Sequence, residues 1–280
     1  MNVSVIIPSL DGSREGNLEF LREDLRRQTL PPDEVVVVTG VWPCSRAHNE
    51  GARRAAGEVL VFFDDDVRLG GADVVERLVG ALDADRVGIA GAATLLPPEA
   101  NSFQRHLAAK LPRSVTPVVE VITDSDMATH AGMAIRRKFY HDIGGEPEEM
   151  WRADDQVLRW RCREAGRRVV LAPGTWVYHP PHPTWGCFLR AKCRDGIAAA
   201  HDVRLRPDLV VEMTGDGAPP AVARLGRCHR AARFAGRFIR RLAEGNLPAL
   251  AAQVVYATGY VHGILRRSDI PPGVKHVHAG

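Results

Sequence analysis

The sequence has few cysteines, little net charge and no apparent leader, and each shortage argues against a class of protein. Its five cysteines include no C-x-x-C pair, which argues against a disulfide framework or a zinc ribbon and fits a reducing cytoplasm. A net charge of +3 over 280 residues argues against nucleic acid as the main partner. No charged-then-apolar segment precedes the first predicted strand, so we expect a cytoplasmic protein.

An apolar run that ends in three acids is the most informative stretch. Residues 59–63 are apolar throughout, and Asp64, Asp65 and Asp66 follow directly. Such a run predicts a strand buried on both faces, as in a parallel sheet covered by helices. The acids must lie beyond the core, at the strand's carboxyl edge, because burying unpaired carboxylates is costly. Ligands bind at this edge in open α/β sheets, so the triplet predicts a divalent metal such as Mg²⁺ or Mn²⁺. A solvated acidic turn is the alternative.

The remaining pattern predicts an α/β fold with a mostly parallel sheet. β-rich or apolar runs indicate strands at 3–7, 35–38, 59–63, 87–93, 131–135 and 168–171, with a short extended piece at 176–179. Amphipathic segments between them indicate helices, including one that begins at Asp154 and Asp155 and ends at Gly166. The strand at 3–7, the helix after it and the strand at 35–38 form a right-handed βαβ unit, so these two strands should be parallel.

The second half is more helical and more basic. A basic helix is predicted at 188–194, where Arg190 or Lys192 could neutralise a diphosphate or simply face solvent. Arginines recur every three or four residues in a predicted basic amphipathic helix: Arg224, Arg227, Arg230, Arg233, Arg237 and Arg240.

A mostly apolar segment follows at 247–265. It is barely long enough to span a bilayer, and its polar residues and the flanking Arg266 and Arg267 fit an interfacial or buried helix better. We therefore expect peripheral attachment to the inner face of the membrane. The alternative is a helical pair packed on the catalytic domain or on a dimer partner.

Several separated segments together resemble the family-2 glycosyltransferases, which have the Rossmann-like GT-A fold. The matching segments are 3–8, Asn49-x-Gly51-x-x-x-Ala55-x-Gly57-Glu58, 64–66, 132–137, Gly144-Gly145, Asp154-Asp155-x-x-Leu158-x-x-Arg161 and 165–179. The resemblance covers roughly residues 1–180. It implies transfer of a sugar from a nucleoside-diphosphate sugar, with inversion, to a glycan or lipid-linked acceptor. We therefore predict a catalytic domain at 1–205 and a basic and apolar helical extension at 206–280.

The resemblance also assigns roles to the acids and to one histidine. The family's D-x-D motif falls on Asp64 and Asp66, so Asp66 would bind Mn²⁺ or Mg²⁺. Asp64 would contact the ribose or the metal-bound diphosphate, and we also count it among the expected metal ligands. The family's acid pair falls on Asp154 and Asp155, which makes Asp155 the expected general base. The family's late histidine falls on His179, the expected third metal ligand, with His182 as a weaker alternative.

The resemblance also implies that Pro8, Ser9, Asp11 and Thr39, in the loops after the first two strands, hold the donor nucleoside, and Arg190 and Lys192 are added from the predicted basic helix. The expected donor-binding residues are Pro8, Ser9, Asp11, Thr39, Asn49, Asp64, Asp65, Arg190 and Lys192. Two departures from the family pattern leave open which nucleotide base the donor carries. Thr39-Gly40 replaces an acid that often follows the second strand, and His48 replaces the arginine of the familiar Ala-Arg-Asn.

Two other functions remain as alternatives. A sugar nucleotidyltransferase would also place acids at strand ends, but its glycine-rich basic loop is poorly matched by residues 9–14. A scaffold protein with an inactive transferase fold is the non-catalytic alternative, against which Asp66, Asp155 and His179 argue.

Overall fold

A single sheet positions the site. The computed structural model describes residues 1–111, 115–152, 154–210 and 227–266. The eight strands are β1 Val3–Ser9, β2 Glu34–Thr39, β3 Val59–Phe62, β4 Arg68–Leu69, β5 Val87–Leu95, β6 Thr123–Asp124, β7 Met133–Arg136 and β8 Arg168–Tyr178. Their order in the sheet is β2-β1-β3-β7-β5-β8-β4, and β6 pairs with β8.

The strand directions bring several chain segments to one edge. β1 pairs in parallel with both β2 and β3, and β5 pairs in parallel with β8. β7 is antiparallel to β3 and β5, so these two neighbours run in the same direction. The carboxyl ends of β1, β2, β3, β5 and β8 therefore meet at one edge, together with the amino end of β7. The predicted α/β fold with a mostly parallel sheet is confirmed.

Helices cover both faces of the sheet. They are α1 Asn17–Arg26, α2 Cys44–Arg54, α3 Val74–Ala81, α4 Ser102–Lys110, α5 Arg137–Asp142, α6 Asp154–Glu164, α7 Trp185–Leu205, α8 Arg227–Ala243 and α9 Leu247–Arg266. Successive β3 side chains point to opposite faces. Val59 and Val61 pack with α1 and α3, and Leu60 and Phe62 pack with α2, α5 and α6. β3 is thus buried on both sides, as its apolar run predicts.

Two elements differ from the predicted ones. The two extended pieces at 168–171 and 176–179 form one strand, β8. Its register with β5 shifts between Leu171 and Trp176, so an irregularity there absorbs Pro173 and Gly174. The basic helix predicted at 188–194 lies in the first half of the 21-residue α7, which Thr184 caps by accepting a hydrogen bond from Cys187 N at 3.3 Å.

Glycines allow α7 and α9 to pack closely. A Cβ added to Gly196 would lie 2.1 Å from the Tyr256 carbonyl oxygen, and one added to Gly259 would lie 2.2 Å from the Cys193 carbonyl oxygen. Phe188 and Ala252 belong to one apolar cluster nearer the start of both helices. The two helices therefore run side by side in the same direction. The predicted helical extension is confirmed, whereas its boundary at 205 stays a prediction.

The remaining predictions for the second half concern a membrane-spanning segment and a basic helix. Within the described ranges, no helix combines the length and apolarity that crossing a bilayer requires. The predicted basic amphipathic helix is α8, which begins at Arg227. Arg224 and Arg267 lie outside the described residues.

Candidate active site

Two acids and a histidine converge at the carboxyl edge of the sheet. Asp64 and Asp66 follow β3, and His179 follows β8. The Nε2 atom of His179 lies 3.2 Å from Asp66 Oδ1. One ligand atom from each of the three residues lies within 4.8 Å of the other two. Carboxylate oxygens with one imidazole form a donor set that suits Mn²⁺, so these residues fit the expected metal.

The electrostatics of the three groups reflect their mutual contact. Burial raises the pKa of Asp64, although the charge of His179 opposes the rise. Burial also works against ionisation of Asp66, yet the hydrogen bond and charge of His179 and the Arg14 guanidinium lower its pKa to about 2. Burial disfavours the imidazolium of His179, but Asp66 outweighs it and raises the pKa. Asp66 is therefore ionised at neutral pH and ready to hold a cation.

The loop after β1 closes one side of the acids. Asp11 Oδ1 accepts hydrogen bonds from the backbone nitrogens of Ser13 and Arg14, both at 2.8 Å. This turn brings the Arg14 guanidinium to 2.8 Å from Asp66 Oδ2 and 3.6 Å from Asp65 Oδ1. Asp11 therefore shapes the loop that carries Arg14. Sequence reasoning missed Arg14, for which the turn residues before it are the only signal.

Ser9 and Thr39 occupy the expected strand ends. Ser9 is buried, and its hydroxyl hydrogen-bonds to Asp65 and accepts from Gly12 N at 3.1 Å. Thr39 is exposed at the end of β2, directly beside Ser9 in the β1–β2 register. Pro8 pairs with Val38 one residue earlier and is buried. The structure thus brings Ser9 and Asp65 together and leaves Thr39 free for contact from outside.

The second acid pair lies at the start of α6, as predicted. Asp155 Oδ2 accepts a hydrogen bond from the buried Arg159 guanidinium at 2.7 Å. Burial raises the pKa of Asp155, but the positive charge of Arg159 outweighs it, and the net shift is downward. Burial and the charge of Glu146 instead raise the pKa of Asp154 to about 6. The two neighbouring acids therefore differ in pKa, because the Arg159 guanidinium holds Asp155 in its ionised form.

A buried histidine pair beside Asp154 was not predicted. His48 Nδ1 lies 3.0 Å from Glu146 Oε2, and His130 Nε2 lies 2.7 Å from Glu146 Oε1. Burial opposes protonation of His130, but the charge and hydrogen bond of Glu146 raise its pKa to about 10. The same two histidines lower the pKa of Glu146 despite its burial. The only sequence signal was His48 in place of the familiar arginine.

Four expected donor or metal residues lie elsewhere or are already engaged. The Asn49 amide is used within the protein, because Nδ2 donates to the Glu146 carbonyl oxygen at 2.8 Å and Oδ1 accepts from Tyr140 at 2.6 Å. Lys192 pairs with Asp195 at 2.8 Å, and Arg190 is exposed with its guanidinium 3.4 Å from Cys187 Sγ. Among the described residues, the group around Asp64 and Asp66 contains His179 and not His182.

Comparisons with known proteins agree with this geometry. The family model for glycosyltransferase-like family 2 matches residues 1–198. Mannosyltransferase PcManGT from Pyrobaculum calidifontis, solved with GDP-Man and Mn²⁺, has a TM-score of 0.60 at 16% identity over 95% of this chain and 88% of that one. TarS from S. aureus has a TM-score of 0.48 at 14% identity over 74% and 45% of the chains, which is too distant to add weight. A search of curated proteins finds no match.

The strand order and the likeness to PcManGT show the GT-A fold. The family model extends over more than two thirds of the chain. The protein therefore belongs to glycosyltransferase-like family 2.

Proposed function

We propose that the protein transfers a hexosyl group from a nucleoside-diphosphate sugar to a hydroxyl or lipid-phosphate acceptor, with inversion and with the help of a divalent metal. The observation that carries this proposal is the convergence of Asp64, Asp66 and His179 at the carboxyl edge of the sheet. The metal and nucleotide sugar bound to PcManGT support the class of donor.

Asp64, Asp66 and His179 would hold Mn²⁺ or Mg²⁺. When bound, such an ion acts as a Lewis acid for the charge that develops on the diphosphate leaving group. Arg14 pairs with Asp66, and its guanidinium can contact a diphosphate oxygen once it is released from the carboxylates. Thr39 and the buried Ser9 belong to the strand ends expected to hold the nucleoside.

Asp155 is the proposed general base. The acceptor oxygen bonds to the anomeric carbon as the bond from that carbon to the diphosphate oxygen breaks, and the acceptor proton passes to the Asp155 carboxylate. The Arg159 guanidinium keeps Asp155 ionised and fixes its orientation. Proton removal by a positioned carboxylate contributes roughly 10²–10⁴-fold to such a reaction. Asp154 differs because its side chain faces His48 and Glu146.

A thermal-shift panel tests the donor site. UDP, GDP, dTDP, ADP and CDP are added with and without Mn²⁺, because a ligand of the folded state must raise the melting temperature. We expect one diphosphate to stabilise the protein in a metal-dependent way. Asp66→Asn should abolish this shift, whereas Asp85→Asn, a change at an exposed acid outside the site, should keep it. No shift with any diphosphate would favour the scaffold alternative.

Turnover separates the base from the donor site. With the nucleotide sugar identified by the panel, Asp155→Asn should keep the thermal shift and lose about 10²–10⁴-fold in kcat. Unchanged kcat would remove Asp155 as the base. Release of pyrophosphate from a nucleoside triphosphate and a sugar phosphate would instead identify a nucleotidyltransferase.

We further propose that α8 and α9 attach the protein to an anionic membrane surface, on the inner face of the cell membrane. Both helices expose apolar side chains, with Ile239 66% and Leu265 77% exposed. A groove of about 420 Å³ between the helices is lined by Phe234, Phe238, Val254, Ala257, Thr258 and Val261. Exposed arginines such as Arg237 and Arg240 lie on the same helix as Ile239. A helix that exposes both apolar and basic side chains suits binding to anionic lipid headgroups.

Flotation with liposomes tests this surface. The protein should float with vesicles that contain anionic phosphatidylglycerol and stay at the bottom with neutral phosphatidylcholine vesicles. Ile239→Asp with Leu242→Asp should prevent flotation, whereas Val121→Asp, at an exposed apolar residue of the catalytic domain, should not. Failure of the unmodified protein to float would contradict membrane attachment, and a stable dimer by analytical ultracentrifugation would then favour a homodimer contact.

A further inference from the structure

Three buried side chains and one half-buried acid form a second cluster of metal-ligand type, separate from Asp64, Asp66 and His179. His48 comes from α2, His130 from the turn before β7, Glu146 from the turn after α5, and Asp154 from the first turn of α6. One ligand atom from each lies within 4.8 Å of all the others. We propose that this cluster binds a second divalent cation, of the transition-metal class that includes zinc.

The distances suit a small four-coordinate ion. His48 Nδ1 lies 3.0 Å from Glu146 Oε2 and 3.9 Å from Asp154 Oδ2, and His130 Nε2 lies 2.7 Å from Glu146 Oε1. Ligands of tetrahedral zinc lie about 2.0–2.1 Å from the ion, which places neighbouring ligand atoms roughly 3.3 Å apart. The two Glu146 distances involve different oxygens, and one ligand atom from each residue lies within 4.8 Å of the others. The four side chains must therefore draw together to seat an ion.

The charge of the cluster also suits a divalent cation. With an ion bound, two neutral imidazoles and two carboxylates would carry two negative charges, which one divalent ion balances. The side chains of His48 and Glu146 are fully buried, and those of His130 and Asp154 are 8% and 16% exposed. Buried carboxylates need compensating charge, because the protein interior solvates them poorly. In the metal-free protein the His130 imidazole, whose Nε2 lies 2.7 Å from Glu146 Oε1, supplies it by holding a proton, which a bound ion would replace.

The ligand set and its surroundings favour zinc, cobalt or nickel over magnesium. Imidazole nitrogens bind these ions well, whereas magnesium prefers oxygen ligands in an octahedron. The Phe62 ring contacts both imidazoles edge-on, at centroid distances of 5.3 and 5.7 Å. Asn49 fixes the backbone of Glu146 by accepting from its nitrogen at 3.0 Å and donating to its oxygen at 2.8 Å. Outer hydrogen bonds of this kind orient metal ligands.

The ion would tie together four segments of the chain between residues 48 and 154. One of them is the first turn of α6, which also carries Asp155. We therefore assign the cation a positioning role, in which it fixes the start of α6 relative to α2 and the sheet. This inference concerns metal binding alone and stands independently of the proposed transfer reaction.

Metal analysis of the untagged, full-length protein tests the proposal. The protein is loaded with zinc, passed through a chelating resin and measured by inductively coupled plasma mass spectrometry. We expect about one tightly held zinc per chain, kept in Asp66→Asn and lost in His130→Asn and in Glu146→Gln. Loss in Asp66→Asn with retention in His130→Asn would assign the zinc to the other site and overturn the proposal. So would failure of the unmodified protein to retain zinc.

A measurement on a variant that keeps the cluster intact covers the case in which the buried substitutions prevent folding. X-ray absorption at the zinc edge of loaded Asp66→Asn protein should show two imidazoles among the nearest ligands. A shell of oxygen atoms alone, or one that contains sulfur, would exclude the His48 and His130 site.

Discussion

Replacing Gly259 with alanine should weaken the contact between α7 and α9. The new Cβ would lie 2.2 Å from the Cys193 carbonyl oxygen, where ordinary contact begins near 3.4 Å. A backbone carbonyl in a helix cannot turn away, so the helices must separate by about 1.2 Å locally. A gap of about 0.5–1 Å already forfeits a quarter to a half of the dispersion attraction between packed atoms. We therefore expect a packing loss near the upper end of the roughly 1–3 kcal/mol typical of overpacked sites.

Gly236→Ala provides the matched control, because a Cβ there meets nothing within 4 Å. Alanine gains about 1 kcal/mol over glycine in a helix interior at either position. Gly236→Ala should therefore raise the free energy of unfolding by about that amount, and Gly259→Ala should lower it by about 1–2 kcal/mol. Urea denaturation followed by circular dichroism measures both, and hydrogen exchange in α9 shows whether the loss is local. Equal stability of the two variants would refute the close packing of α7 and α9.

Three further predictions concern single side chains. Burial raises the pKa of Cys162 to about 12, whereas hydrogen bonding by Thr184 lowers that of Cys187. Thiolates react with iodoacetamide and thiols do not, so at pH 7–8 the reagent should label Cys187 and spare Cys162 until the protein unfolds. Mass spectrometry measures the labelling of each cysteine. Labelling of Cys162 in the native protein would contradict its burial. Arg159→Met should lower the free energy of unfolding in urea by about 3 kcal/mol, because it leaves the Asp155 carboxylate without a partner. Adding Asp155→Asn should recover much of this loss. No recovery would mean that packing, not charge, dominates. Arg14→Ala should tighten Mn²⁺ binding by about two- to fivefold in calorimetry without nucleotide, because the guanidinium competes with the ion for Asp65 and Asp66. Unchanged affinity would contradict that competition.

The part of the site that follows from the sequence is the part carried by single strands. The apolar run before Asp64 and Asp66 predicts a strand buried on both faces. Such burial requires the two acids to lie beyond the end of the strand. His179 could be assigned by resemblance, and the structure places it beside Asp66. The predicted roles of these residues in binding metal and donor stay predictions.

The part that could not be predicted depends on how distant segments meet. Glu146 lies 98 residues after His48 in the chain, and no local pattern indicates that they form a hydrogen bond. His130 reaches the same place because β7 is antiparallel to its neighbours, which puts the start of that strand at the carboxyl edge of the others. The sequence predicts β7 as a strand but not its direction. Similarly, no local pattern indicates that α7 packs closely against α9.

Helix α7 begins six residues after His179 and is held along its length by α9. At about 1.5 Å per residue, its 21 residues extend over roughly 31 Å. The packed pair of α7 and α9 therefore follows the histidine beside Asp66 after only residues 180–184. If the outer face of α8 and α9 rests on a membrane, the catalytic cleft is held at a set height and angle above the lipid. Acceptors would then be selected by how far they project from the bilayer as well as by their chemistry.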